Sequence, residues 1–154
     1  MKLFTFLLLL GILVYGVWAY LDLFRLNHAV VYNDQERLAQ LIDLQTLREG
    51  MKKDFNQGVG DAPHPWLKWF ADGAQRLNSE ALDRLVTMGW VRDRLLSKIE
   101  GNDSTDLFAG VSYAFFESPT RLLVRYGDLG QEPIHLYMQL YPMEFRWRVN
   151  AMYQ

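Results

Sequence analysis

From Leu3 to Leu21 the chain runs nineteen residues without a charge, bounded by Lys2 and Asp22. A helix of that length rises roughly 28 Å, close to the roughly 30 Å hydrocarbon core of a bilayer. Seven Leu, two Phe, two Val and one Ile lie in the run. Each favours insertion by about 0.3–0.6 kcal/mol near the helix centre. Tyr15, Trp18 and Tyr20 gather toward its far end, where amphipathic rings settle at the headgroup level. Residues 1–21 are therefore expected to be a transmembrane anchor, and residues 22–154 a single soluble domain.

A cleaved secretory signal is the competing reading. Lys2 supplies its positive start, and Val17-Trp18-Ala19 is a tolerable cleavage site. However, no polar region precedes that site, and the apolar character continues through Leu21, which favours an uncleaved anchor. Orientation rests on weaker signals. Arg25 and Arg37 beyond the run outnumber Lys2 before it, yet a very short tail ahead of an apolar run stays in the cytoplasm. The domain is accordingly placed on the far side of the membrane.

Composition removes several function classes. Sixteen Lys and Arg stand against eighteen Asp and Glu, for a net charge of −2, and neither sign forms a long block. That balance carries no footprint for nucleic acid, and no juxtamembrane cluster of Lys or Arg marks anionic lipid. Cysteine is absent, which excludes thiol nucleophiles, thiolate metal sites, disulfides and an N-terminal lipid-modified cysteine.

Beyond the run, Leu23, Phe24, Leu26, Ala29, Val30 and Val31 keep helical apolar spacing to Tyr32, as a rigid stalk would. Asn33 is placed as the N-cap of a short helix, with Glu36 as its capping-box partner. Asp43 caps another, with Leu44, Leu47, Met51 and Phe55 on one stripe. A Gly- and Pro-rich loop around Gly58 and Gly60 follows, then helical spacing through Leu67, Phe70, Ala74 and Leu77. Ser79 caps a helix carrying Leu82, Leu85 and Val86, and Val91, Leu95 and Ile99 continue the pattern after Gly89. From Val111 the period changes to two. Residues 111–117, 121–126, 134–141 and 144–153 read as four strands whose short connections require antiparallel pairing. Helices first and a meander second make an α+β domain, with the helices covering one sheet face.

These features resemble a bacterial family, the domain-of-unknown-function family numbered 2939. The resemblance rests on Tyr20-Leu21-Asp22-Leu23-Phe24-Arg25-Leu26, Asn33-Asp34, Asp43-Leu44-Gln45-Thr46-Leu47-Arg48, Phe116-Glu117-Ser118-Pro119-Thr120-Arg121 and the closing Phe145-Arg146-Trp147-Arg148-Val149. Thr87-Met88-Gly89-Trp90-Val91 departs from the family's usual Thr-Pro-Glu-Gly-Leu stretch. The resemblance implies membrane attachment and the same fold, and carries no catalytic residue; with the orientation expected above, the domain would be periplasmic at the bacterial inner membrane. Helices followed by a sheet are also similar to the cone-shaped nuclear-transport-factor-like and cystatin-like folds, an analogy of architecture alone.

The residues that could carry chemistry are scattered. His28, His64 and His135 lack ligand spacing. Gly58-Val59-Gly60 follows no strand and lacks a phosphate-loop ending. Asn102, Asp103, Ser104 and Asp106 lack the calcium-loop pattern and read as a solvated turn. Neither a catalytic constellation nor a cofactor is expected. Strand alternation puts Leu122, Val124 and Tyr126 on one face, with Phe145, Trp147 and Val149. The opposite face carries Arg121, Arg125, Arg146 and Arg148 beside His135, Tyr137 and Tyr141. Such a face suits an anionic group or a protein partner, or is a wet sheet face with Glu117 and Glu144 partly neutralising the arginines. Trp66, Trp69, Phe70 and Trp90 either line an apolar groove or belong to the core.

The sequence thus points to a non-enzymatic, single-pass membrane protein. Its domain would bind a protein or lipid partner in the envelope, with Arg121, Arg125, Arg146, Arg148 and Tyr137 as the candidate surface. The rival readings are a carrier holding a lipid-like ligand between helices and sheet, and an enzyme of unknown type.

Overall fold

A computed structural model describes residues 2–57, 79–99, 108–128, 130 and 132–153. Five described helices precede four strands: α1 (Lys2–Tyr32), α2 (Gln35–Leu41), α3 (Leu44–Gln57), α4 (Ser79–Leu85), α5 (Met88–Ile99), β1 (Val111–Ser118), β2 (Arg121–Tyr126), β3 (Ile134–Tyr141) and β4 (Arg146–Tyr153). The strands form one antiparallel sheet in the order β1-β2-β3-β4. This is the α+β meander expected from the change of period. The expected loop around Gly58, the helical spacing from Leu67 to Leu77 and the turn at 101–104 lie outside the described residues.

α1 is long and apolar enough to cross a membrane, and its surroundings change along its length. From Leu3 to Val14 every residue is exposed. From Tyr15 onward the helix packs on the sheet: Ala19, Leu23, Leu26, Ala29 and Val30 are buried with Leu122, Val124, Leu136, Met138, Trp147 and Val149. The continuation to Tyr32 is therefore not a stalk, as its helical spacing implied, but the central core helix of the domain. α1 also crosses the expected division at residues 21 and 22 without a break.

Two polar side chains on α1 are buried, and both are bonded, as burial requires. The Asn27 amide donates to the Ala109 carbonyl at 2.9 Å and accepts from the Tyr126 hydroxyl at 2.8 Å. Burial pushes that hydroxyl far above the ordinary tyrosine range. Asp22 accepts from the Trp147 backbone N–H at 3.1 Å and pairs with Arg25 at 2.8 Å. One ladder thus runs up each side of the helix, to the start of β1 and to β4.

The short helices are fixed by caps. Asn33 takes a left-handed φ of 55° and ends α1, with the Asp34 N–H reaching back to Ala29 O at 3.0 Å, a Schellman-type closure. The N-cap of α2 is consequently Asp34, not Asn33, and it accepts from the Arg37 N–H. Asp43 caps α3 as expected, accepting from the Thr46 N–H at 3.1 Å, and Thr87 caps α5 through Trp90 N. Three arginines close helix C-termini by donating to carbonyls: Arg92 to Val30 at the end of α1, Arg48 to Val86 beyond α4, and Arg148 to Ala39 and Ile42 at the end of α2. Cations are favoured at that negative end of a helix.

At the sheet, Leu122, Val124 and Tyr126 share the buried face with Trp147 and Val149, as alternation requires. Phe145 does not join them. It sits in the β3–β4 turn at φ 50° and is 73% exposed, because β4 begins only at Arg146. An extra residue at Asn150, where pairing steps from Tyr137–Ala151 to Met138–Val149, then resets the alternation. Both Val149 and Met152 point inward as a result. Gly110 closes the α5–β1 junction at φ +80°, where a Cβ would meet Lys98 O at 2.9 Å.

Candidate functional site

The outer face of the sheet carries most of the residues singled out from the sequence. Register places Tyr113, Arg125, His135 and Tyr153 in one cross-strand row, and Phe115, Leu123, Tyr137 and Ala151 in the next. Arg121, Gln139 and Arg148 form a third. The Arg121 guanidinium lies 4.1 Å from the centre of the Tyr137 ring, and Arg125 lies 5.7 Å from that of Tyr113. These cation–π contacts tether both guanidinium groups to the outer face of the sheet.

The four arginines are not equivalent. Arg121 is partly neutralised by Glu117 at 3.3 Å. Arg125 has no carboxylate partner among the described residues, and its charge acts on His135. Burial, followed by the repulsion from Arg125, holds the His135 imidazole below its usual value. Arg148 pairs with Glu144, lies over the Tyr141 ring and caps α2, so it is engaged in the fold. Arg146 turns away to α2, where it donates to Gln40.

Behind Arg148, Asp43 accepts from the Tyr141 hydroxyl at 2.6 Å and from the Thr46 hydroxyl at 2.8 Å. Burial alone would raise the Asp43 pKa, but the bonds from Tyr141 and Thr46 and the Arg148 charge outweigh it and leave it below the usual carboxylate value. A depressed folded value stabilises the fold above the ordinary carboxylate range, about pH 4, and that stability is lost as pH falls through the folded value. His135 acts at higher pH and in the same direction. Its lowered value makes the fold lose stability as pH falls below about 6.5, where the unfolded imidazole takes up its proton first. Acid unfolding is expected in two stages, and His135→Phe should remove the upper one. Denaturant midpoints between pH 8 and 3 check this; a wild-type midpoint flat from pH 7 to 5 would refute the first stage.

Trp66, Trp69 and Phe70 lie outside the described residues. Trp90, in the first turn of α5, packs against the core with the Arg94 guanidinium 5.6 Å from its ring centre. An apolar groove of about 380 Å³ is found elsewhere, on α1 between Val17, Tyr20, Leu21, Phe24 and Phe108.

Two further features depend on contacts between residues distant in sequence. The first is the end of the sheet where α1 emerges. The Tyr15 hydroxyl donates to Pro119 O in the β1–β2 turn, its ring contacts Phe116 and Trp147, and the Trp18 ring stacks on Phe145 at 6.4 Å. In the neighbouring β3–β4 turn Met143 is 97% exposed. The second is a pocket of about 300 Å³ lined by Asp22, Arg25, Arg37, Gln40, Leu41 and Arg146. Nothing local in sequence joins Arg25 and Arg37 to Arg146.

Among the described residues no group of His, Asp and Glu could hold a metal ion. Neither a curated protein nor a solved structure matches the chain. Residues 8–102, from within α1 to just beyond α5, match the profile of a family described as a protein of unknown function, DUF2939, and with more than half its length inside that match the chain belongs to this family.

Proposed function

We propose that this chain is an uncleaved, single-pass membrane protein, non-enzymatic, whose domain sits on the periplasmic surface of the bacterial inner membrane and binds an acidic protein partner of the envelope. The observation that carries the binding reading is the outer sheet face, where the Arg121 and Arg125 guanidinium groups lie within cation–π reach of Tyr137 and Tyr113 around Leu123. Arg and Tyr are enriched at protein interfaces, and a ring-backed guanidinium loses little freedom when it grips a carboxylate. Arg148 belongs to the fold for the reasons of capping given above, so the binding edge narrows to Arg121, Arg125 and Tyr137.

Support for an uncleaved helix comes from what cleavage after Ala19 would remove. Tyr15 and Trp18 contact Phe116, Trp147 and Phe145, and Ala19 itself is fully buried. The same contacts set the height of the domain. Leu3–Val14 rises about 18 Å, short of the roughly 30 Å hydrocarbon layer. The last turns of the crossing segment are therefore those flanked by the β1–β2 and β3–β4 turns, which brings Met143 and Phe145 to the bilayer interface. Glu117 and Glu144 at these turns are ion-paired, which lowers their cost there.

The double variant Arg121→Glu/Arg125→Glu tests the binding face. In-cell crosslinking with mass spectrometry should yield acidic envelope proteins with the wild type. The variant should lose them while remaining folded and in the membrane fraction. An unchanged crosslinking profile would remove this face from consideration.

A further inference from the structure

We infer that the pocket between α1, α2 and β4 binds a phosphate group, and that its source is the headgroup of an anionic phospholipid in the leaflet on which the domain sits. Two consecutive helices and a strand more than a hundred residues further on deliver Arg25, Arg37 and Arg146 to one cavity of about 300 Å³. Against three guanidinium groups the lining offers one carboxylate, Asp22. That carboxylate is buried and already committed to the Trp147 N–H and to Arg25. Asp22 holds Arg25 in place, Gln40 holds Arg146, and Asp34 lies 3.2 Å from Arg37. Each guanidinium carries five donors, so these contacts orient the three groups and leave edges for an anion. Three planar forks lining one cavity suit the several oxygens of a phosphate better than a single carboxylate.

Position selects the lipid as source. Arg25 lies four residues beyond Leu21, about 6 Å of helix rise, and Leu21 is the last residue of the uncharged run. Arg146 follows Phe145, whose ring stacks on Trp18. If the bilayer edge lies at Trp18–Leu21, the pocket stands at the level of the phosphates. This inference rests on the membrane-seated reading, although the pocket's affinity for phosphate does not.

The test uses the full chain, purified in a non-ionic detergent and examined by native mass spectrometry. Phosphatidylglycerol, phosphatidylcholine and inorganic phosphate are added in separate arms. Wild type should retain one phosphatidylglycerol in preference to phosphatidylcholine, and millimolar inorganic phosphate should not displace it. Arg37→Gln and Arg146→Gln should each lower that retention about tenfold, the worth of one charged hydrogen bond, while Arg121→Glu leaves it unchanged. Thermal melts alongside separate lost binding from lost folding, and Arg37, more than half exposed, gives the variant least coupled to the core. Equal retention of both lipids, indifferent to both substitutions in folded protein, overturns the pocket. Displacement by inorganic phosphate with no lipid preference overturns the lipid source. Loss of wild type from the cell's membrane fraction would instead refute the anchor, whatever the pocket binds.

Discussion

A chain lacking Leu3–Val14 is expected to leave the membrane fraction and still unfold cooperatively, whereas a chain lacking Leu3–Leu21 is expected not to fold. The first deletion removes only exposed residues. The second also removes Tyr15, Trp18, Ala19 and Tyr20, which pack on Phe116, Trp147, Phe145 and the Ala114 carbonyl. Each of the three rings contributes about 1–2 kcal/mol of burial at partial exposure. Their combined loss, about 3–6 kcal/mol, is of the order of the whole stability of a small domain. Circular dichroism melts of the two deletions distinguish the outcomes. If both melt alike, the aromatic contacts below Asp22 add nothing to the fold, and a leader cleaved after Ala19 becomes the better reading.

That experiment also bears on why the long apolar run is plainer in the sequence than the point at which it joins the domain. Leu3–Leu21 is apolar on every side, so no periodicity separates its exposed residues from those packed on the domain. Ala19 is buried in the domain and Val17 half exposed, yet both read alike in the run. The helices and strands were legible because Leu47 and Met51, Val91 and Leu95, and Leu122 and Val124 repeat at the period of their own element. Misreadings fell where the backbone departs from regularity. Asn33 in the left-handed region shifted a cap by one residue, and the turn at Phe145 and the bulge at Asn150 broke the alternation of β4. Neither break changes composition, so neither leaves a local signal.

The candidate site divides the same way. Arg121, Arg125 and Tyr137 were legible as a face because adjacent strands in a meander stack residues of equal parity side by side. Arg146 has that parity too, but at the start of an edge strand its long side chain reaches Gln40 on α2 instead. The role of Arg148 depends on where α2 ends: Ile42 pairs with Val149 along the open edge of β4, bringing the last carbonyls of α2 within reach. Contacts between residues a hundred positions apart have no signature in a single sequence. The arginine pocket, assembled from α1, α2 and β4, belongs to that class.

Asp22 joins these observations, and Asp22→Ala is expected to destabilise the domain by about 3 kcal/mol. The ion pair with Arg25 accounts for little of this, because Arg25 is 56% exposed and such pairs contribute about 0–1 kcal/mol. The larger part is the Trp147 N–H, left without an acceptor deep in the core, at a cost of about 1–3 kcal/mol, together with the space vacated beside Trp147. Asp22→Asn keeps an acceptor for that N–H and should cost only about 1 kcal/mol, since it loses the charge and the Arg25 pair. Asp22→Leu fills the space but cannot accept, and should fall near alanine. For a chain of this size the alanine variant should melt about 6–12 °C lower in a detergent micelle. The order Ala ≈ Leu < Asn < wild type identifies acceptance from Trp147 as the interaction that ties α1 to β4. Equal melting of the Asn and Leu variants would transfer that role to the Arg25 pair.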